Sequence, residues 1–141
     1  MTSSPVSPNA QAVALQMLYA LDAGSDYTLD AALPLLRSVL LSDGDEPLAS
    51  LDDFDDAVPI VRKIIEARSE LDETIRRHSK SWRLERMAQL DRNLLRLMLW
   101  LARDGRASTV VVAEASELAR RYGTAESVAF VAGLLERCLA R

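Results

Sequence analysis

The sequence predicts an all-α protein, a compact bundle of six or seven helices forming a single domain over residues 1–141. Three observations carry that prediction. Apolar residues make up 49% of the chain while aromatics supply only 5%, so the core is aliphatic. Gly and Pro number five each and β-branched runs are short, which favours helices over strands. The apolar positions recur at intervals of three and four along most of the chain. With 141 residues, such a chain can bury a core without disulfide or metal staples.

Taken in order, residues 1–8 are expected to be disordered. Asn9 then precedes a periodic run and suits an N-cap. In NAQAVALQMLYALD (9–22), Ala10, Val13, Ala14, Met17, Leu18 and Leu21 form one stripe, and Gly24 is expected to stop the helix. The run carries no Lys or Arg and one acid. Gln11, Leu15, Tyr19 and Asp22 make a second face at i, i+4, i+8 and i+11. A second helix is expected from about Leu29 to Leu41 with Ala32, Leu33, Leu36, Val39 and Leu40 inward, although Pro34 in its early turns could delay its start. The stretch SDGDEP (42–47) reads as a loop.

Asp52, Asp53, Asp55 and Asp56 open the next helix, where carboxylates complement the positive end of the helix dipole. Its stripe, Ile60, Ile64, Ala67, Leu71 and Ile75, reaches about Arg77, with a bend at Pro59 and a break near Ser69. Residues 84–102, LERMAQLDRNLLRLMLWLA, form the most strongly patterned helix. Apolar residues cover most of its surface and leave Glu85, Asp91, Arg92, Arg96 and Arg103 for the remaining strip, so it belongs at the centre of its domain. Asp104-Gly105 ends it. Helices over Val110–Tyr122 and Ala125–Leu139 follow, separated by Gly123, with Thr124 capping the second.

Several function classes find no support. The longest apolar run is far too short to span a bilayer, and no basic segment precedes an apolar one at the start, so the expectation is a soluble cytoplasmic protein. The single cysteine, Cys138, has no partner for an internal disulfide. The single histidine, His78, lies in the basic run Arg76-Arg77-His78-Ser79-Lys80 and reads as a solvated side chain. No glycine-rich loop is present to cradle phosphate, and SDGDEP lacks the ligand spacing of a calcium loop. No cofactor, metal or enzymatic activity is expected.

Charge is divided unevenly. Residues 1–60 hold one base and ten acids, whereas residues 61–141 hold sixteen bases and eleven acids. This asymmetry hints at an anionic partner for the second half, with ordinary solvated helix faces as the plain alternative.

From Trp82 the chain runs WRLERMAQLDRNLLRLMLWLA and then TVVVAEASELARRYGTAESVAFVAGLLERCL. Asp91-Arg92, Leu94-Leu95-Arg96, Glu114-Ala115, Glu117-Leu118-Ala119, Tyr122-Gly123, Ser127, Phe130-Val131, Gly133 and Leu135 follow one family's order and spacing. In the opening helix Ala14, Gln16, Leu18 and Tyr19 follow its "A-x-Q-x-LY" segment. The sequence thus resembles the NusB family of bacterial transcription antitermination factors over nearly its full length, least clearly from about 25 to 55. The resemblance implies an all-α fold of two packed helical subdomains. It implies binding to NusE, a small-subunit ribosomal protein, and to boxA-type RNA within the RNA polymerase antitermination complex.

The resemblance also implies a site, and this chain departs from the family there. The family's N-terminal arginines fall on Ser7, Pro8, Asn9 and Gln11, none of which is charged. Losing three or four phosphate contacts would weaken RNA affinity by orders of magnitude at physiological salt. The asparagines of the family's "NEA" and "FVNG" segments are Ala113 and Ala132, a change compatible with a polar pair replaced by apolar packing. Candidate RNA-binding residues are Gln11, Gln16, Arg76, Arg77, Lys80, Arg83, Arg86, Arg120, Arg121 and Phe130. Candidates for the protein partner are Leu15, Tyr19, Asp91 and Glu126. Each has a plainer reading. Leu15 and Tyr19 could pack on a neighbouring helix, Phe130 could belong to the core, and the bases could be solvated helix-end charges. Two functional alternatives stay open beside the RNA-binding factor. One is a diverged NusB-fold interaction module without RNA binding, docking NusE or forming a homodimer. The other is the NusB-like domain carried by ribosomal RNA cytosine methyltransferases, whose C-terminal segment matches this chain less well.

Overall fold

The computed structural model describes residues 6–23, 28–41, 50–79 and 83–140. Among them are seven α-helices and no strand: α1 (Pro8–Ala23), α2 (Leu29–Leu40), α3 (Leu51–Glu66), α4 (Arg68–His78), α5 (Gln89–Arg103), α6 (Ser108–Tyr122) and α7 (Ala125–Leu139), with a 3-10 turn at Leu84–Arg86. The chain divides into two compact units, the first ending at Ile65 and the second beginning at Glu66. Gly24, the SDGDEP loop, Lys80, Trp82 and the first five residues lie outside the described residues.

In the first unit, α1 starts two residues earlier than Asn9 capping would allow. Ser7 is the cap: its hydroxyl accepts from the Ala10 N–H at 3.1 Å and its carbonyl from the Gln11 N–H at 2.9 Å. Pro8 takes the first helical position, where its missing N–H costs nothing. The expected stripe is buried from Ala10 to Leu18 and half-buried at Leu21, and Gln11, Ala12 and Leu15 are buried as well. A helix without a charged face is here enclosed nearly all round.

Thr28 caps α2 by accepting from the Ala31 N–H at 3.2 Å, so Pro34 does not delay its start. Leu29, Leu36 and Leu40 point inward, but Val39 is exposed because it lies to one side of the line those three define. Ser50 caps α3 through the Asp53 N–H. Phe54, Ala57, Ile60, Val61 and Ile64 form its inner face. The helix continues through Pro59 and breaks at Ala67 (φ −92°, ψ 4°), two residues before the expected place. Polar links tie these helices: Arg62 Nη2 donates to Asp30 Oδ1 at 2.6 Å, Arg37 lies over the Phe54 ring at 5.9 Å, and Ser7 Oγ donates to Asp53 Oδ1 at 3.5 Å. The hydrogen bond and charge of Arg62 hold the Asp30 carboxyl below its ordinary range.

In the second unit, the helix expected over 84–102 is divided. Leu84 and Met87 are both buried, and their spacing of three suits a 3-10 turn as well as an α-helix. Met87 and Ala88 are extended (ψ 148° and 140°), and α5 begins only at Gln89. Helices α4, α6 and α7 all pack on α5, which is therefore central as its pattern predicts. That packing also encloses polar residues expected on its outer strip. Asp91 and Arg96 are buried, at 9% and 4% exposure, together with Asn93.

Arg96 owes its burial to a dedicated set of partners. Its Nε and Nη2 donate to the two carboxylate oxygens of Asp72 on α4, at 2.7 and 3.1 Å, and its Nη1 donates to Asn93 Oδ1 at 2.9 Å. Asn93 Nδ2 in turn donates to the Gln89 carbonyl at 2.8 Å. A two-pronged guanidinium–carboxylate pair of this kind satisfies both ions where water cannot reach them.

Two glycines shape the ends of this unit's helices. Gly105 has φ +109° after α5, a conformation that L side chains rarely adopt, and the Arg106 N–H returns to the Leu101 carbonyl. Gly123 is required by closeness: a Cβ there would lie 2.9 Å from Leu90 Cδ2 and from Ser127 Cβ and Oγ. Thr124 caps α7 as expected, accepting from the Ser127 N–H at 3.1 Å.

Near the end of α7, Cys138 is half-buried, and desolvation raises its thiol to about 11. At pH 8 only about one thiol in a thousand would be thiolate, so iodoacetamide is expected to react on the order of a hundredfold more slowly than with a free cysteine. Unfolding in urea should restore the ordinary rate. Equal rates in both states, read by mass spectrometry, would contradict the burial.

Candidate functional site

A cleft of about 390 Å³ opens in the second unit where the 3-10 turn, the first turn of α5 and the first turns of α7 meet. Arg86, Met87, Ala88, Asp91, Thr124, Glu126, Ser127 and Phe130 line it. The break at Met87 and Ala88 brings the turn to this wall, and the absence of a Cβ at Gly123 lets α7 begin close to α5.

Four candidates from the sequence come together here. Arg86 and Phe130 were assigned to RNA, and Asp91 and Glu126 to a protein partner, yet all four share one cleft. Phe130 is half-buried, one wall of the cleft and not a core residue. Arg86 and Glu126 are exposed. Asp91 is buried, and its Oδ1 has no hydrogen-bond partner. Burial pushes its carboxyl above the ordinary range, and a hydrogen bond from the Ser127 hydroxyl pulls the other way. Ser127 is itself buried, with its Oγ 3.3 Å from Thr124 Oγ1.

The remaining bases are unequally available. Arg76 donates to Glu85 at 3.2 Å and Arg120 to Glu117 at 2.8 Å, while the Arg121 guanidinium lies 5.2 Å from the centre of the Tyr122 ring. Among the described residues, Arg77, Arg83 and Arg86 are exposed and make no ion pair. Lys80 lies outside the described residues.

In the first unit, the face proposed along α1 is largely internal. Gln11 is 1% exposed, with its Nε2 donating to the Val6 carbonyl at 3.1 Å, and Leu15 is equally buried. Both are therefore withdrawn as surface contacts. Their positions flank the core stripe, and the enclosure of α1 covers them too. Tyr19 is 47% exposed and Gln16 half-buried, so these two remain accessible. Ala113 is exposed, which removes the reading of Ala113 and Ala132 as a buried apolar replacement.

Sequence reasoning passed over Met87, Thr124 and Ser127 as parts of a site. A serine three residues after a capping threonine was the one available signal, since both hydroxyls then face the same helix start.

No group of three or more His, Cys, Asp or Glu side chains able to hold a metal occurs among the described residues, and none of their helices is long and apolar enough to cross a membrane.

Comparison with known proteins gives consistent matches. The NusB family profile matches residues 8–140. The transcription antitermination protein NusB of Sorangium cellulosum is 42% identical over 127 residues, covering 88% of this chain and 84% of that protein. The protein of the same name from Geobacter sulfurreducens is 39% identical over 127 residues, with 88% and 86% covered. Among solved structures, T. maritima NusB superposes with a TM-score of 0.76 at 28% identity, covering 98% of this chain and 92% of that one. A chain from a solved complex of antitermination factors NusB and NusE with double-stranded RNA has the same fold, with a TM-score of 0.75 at 19% identity and 93% of each chain covered.

Proposed function

This chain belongs to the NusB family, and from that premise we propose that it is a transcription antitermination factor acting in ribosomal RNA transcription. In this reading it works in the cytoplasm by docking alone, without catalysis. It carries boxA-type RNA and NusE into the antitermination complex of RNA polymerase. The observation that supports this reading best is the cleft of the second unit, where an aromatic wall, an unpaired arginine and a buried carboxylate converge. A flat ring and a nearby cation suit a single-stranded base and its phosphate. A solved relative of the same fold holds both NusE and RNA.

The RNA contribution is testable by salt. Among the described candidate bases, Arg77, Arg83 and Arg86 are exposed with neither an ion pair nor a ring contact, so we take about three phosphates to be neutralised. For single-stranded RNA this gives a log-log slope of affinity against salt of about −2. A filter-binding titration with boxA RNA should return that shallow slope. No binding at low salt, with and without NusE, would remove RNA from the function.

A second reading is favoured by the first unit. The start of α1 carries Ser7, Pro8 and Asn9 where the family has arginines, while Tyr19 stays exposed. That combination fits an interaction module that keeps NusE, or a second copy of itself, without RNA. Capture of NusE that persists without RNA and is lost in Tyr19→Asp supports this reading over the first.

A further inference from the structure

We propose that the outward row of α2, formed by Ala31, Leu35 and Val39, docks a basic amphipathic helix of another protein. The inference stands apart from the RNA reading above. It begins with two large apolar side chains, four residues apart, that the fold leaves in solvent: Leu35 is 67% exposed and Val39 52%. Ala31, one turn earlier on the same row, is exposed as well. Single exposed leucines are commonplace, whereas an apolar row along one helix face marks a contact surface.

The other faces of α2 are already in use. Leu29, Leu36 and Leu40 are buried. Its two charged side chains both turn to α3, Asp30 accepting from Arg62 at 2.6 Å and Arg37 lying 5.9 Å from the centre of the Phe54 ring. At 3.6 residues per turn, the row of Ala31, Leu35 and Val39 falls roughly 150° round the helix from that pair. Thr28 and Ser38, beside the row, are exposed and uncharged. This face therefore offers methyl, isobutyl and hydroxyl groups where a helix turned to water ordinarily carries its charges.

Charge decides what the row accepts. The first unit from Pro5 to Ile65 holds ten acids and three bases, and two of those bases, Arg37 and Arg62, are committed to the contacts just named. Asp52, Asp55 and Asp56 lie on the first turns of α3, the end of that helix on which Arg37 rests, and are exposed with no ion pair among the described residues. RNA and an anionic lipid surface are repelled by such a unit. A second copy seated face to face would set like charge against like. A cationic partner is attracted. The backbone of α2 is bonded within its own helix and offers no ladder to an added strand, so side chains alone must hold the partner. A ridge with a spacing of four residues fits the groove along a second helix.

The test uses the full chain at low salt and fluorescence anisotropy with labelled peptides of about five helical turns. One peptide carries a row of leucines and lysines on the opposite face. A second has the same composition with the leucines scattered around the helix, and a third has glutamates in place of the lysines. The first is expected to bind about tenfold more tightly than either of the others. Leu35→Ser and Val39→Ser leave every charge in place and should each weaken it by about tenfold, while Val110→Ser, at an exposed residue of the second unit, should not change it. No binding, equal binding of the scattered peptide, or binding that ignores Leu35→Ser overturns the docking row. Equal binding of the glutamate peptide overturns the charge of the partner. Sedimentation of the chain alone tests the remaining occupant: a dimer that Leu35→Ser dissociates gives the row to a second copy and overturns the proposal.

Discussion

Replacing Arg96 with methionine is expected to lower the stability of the protein by about 3–5 kcal/mol, because it strands the buried Asp72 carboxylate without its main partner. Urea denaturation followed by far-UV circular dichroism measures the loss, and a fall in Tm of about 10 °C or more should accompany it. Asp72→Leu alone should cost a similar amount, since it strands the guanidinium instead. Asn93 continues to accept one N–H and cannot neutralise the charge. Arg68, 3.8 Å from Asp72 Oδ2 and half exposed, is too loosely held to replace Arg96. The double variant Arg96→Met, Asp72→Leu should recover most of the stability, because two apolar groups in contact leave no ion buried. Additive losses in the double variant would show that the two residues do not act as a pair.

Gly123→Val is expected to cost about 3 kcal/mol and to weaken RNA binding together with stability. The added Cβ would meet Leu90 Cδ2, which can swing aside, and Ser127 Cβ, which sits on the first turn of α7 and cannot move alone. Relief therefore requires the start of α7 to shift, and with it Ser127 and Phe130 on the cleft wall. A change of this kind in a plain helix terminator would alter stability without touching affinity. Denaturation and boxA titration of the same preparation separate the two cases, and unchanged affinity in the folded variant would sever Gly123 from the cleft.

The helical class and most element boundaries were legible from spacing. The last two helices, the Thr124 cap and the Asp104-Gly105 stop each have a local cause: a side-chain acceptor, a left-handed backbone or an apolar period. What was not legible depends on residues distant in the chain. Nothing near Arg96 announces that Asp72, 24 positions earlier, will meet it, so a charged residue on α5 reads as solvent-facing. The division of residues 84–102 escaped for a related reason. Spacings of three satisfy both a 3-10 turn and an α-helix, and only packing decides between them. The burial of Gln11 and Leu15 follows from the enclosure of α1, which periodicity within that helix does not reveal. The cleft itself joins residues 86–91 to 124–130 through the close approach at Gly123, a contact that no single segment encodes.

The acid partners of the arginines have a kinetic consequence. Arg76, Arg103, Arg106 and Arg120 each sit within bonding distance of a glutamate, and Arg96 is sealed inside with Asp72. What remains is a surplus of five bases in residues 61–141, sixteen against eleven, within a chain of net charge −4, and beyond a Debye length of about 8 Å the acids of the other half offset it. An anionic partner is not drawn in from afar, and encounter should proceed near the unsteered rate of about 10⁵–10⁶ M⁻¹s⁻¹. Differences between good and poor RNA sequences would then be written in how long each stays.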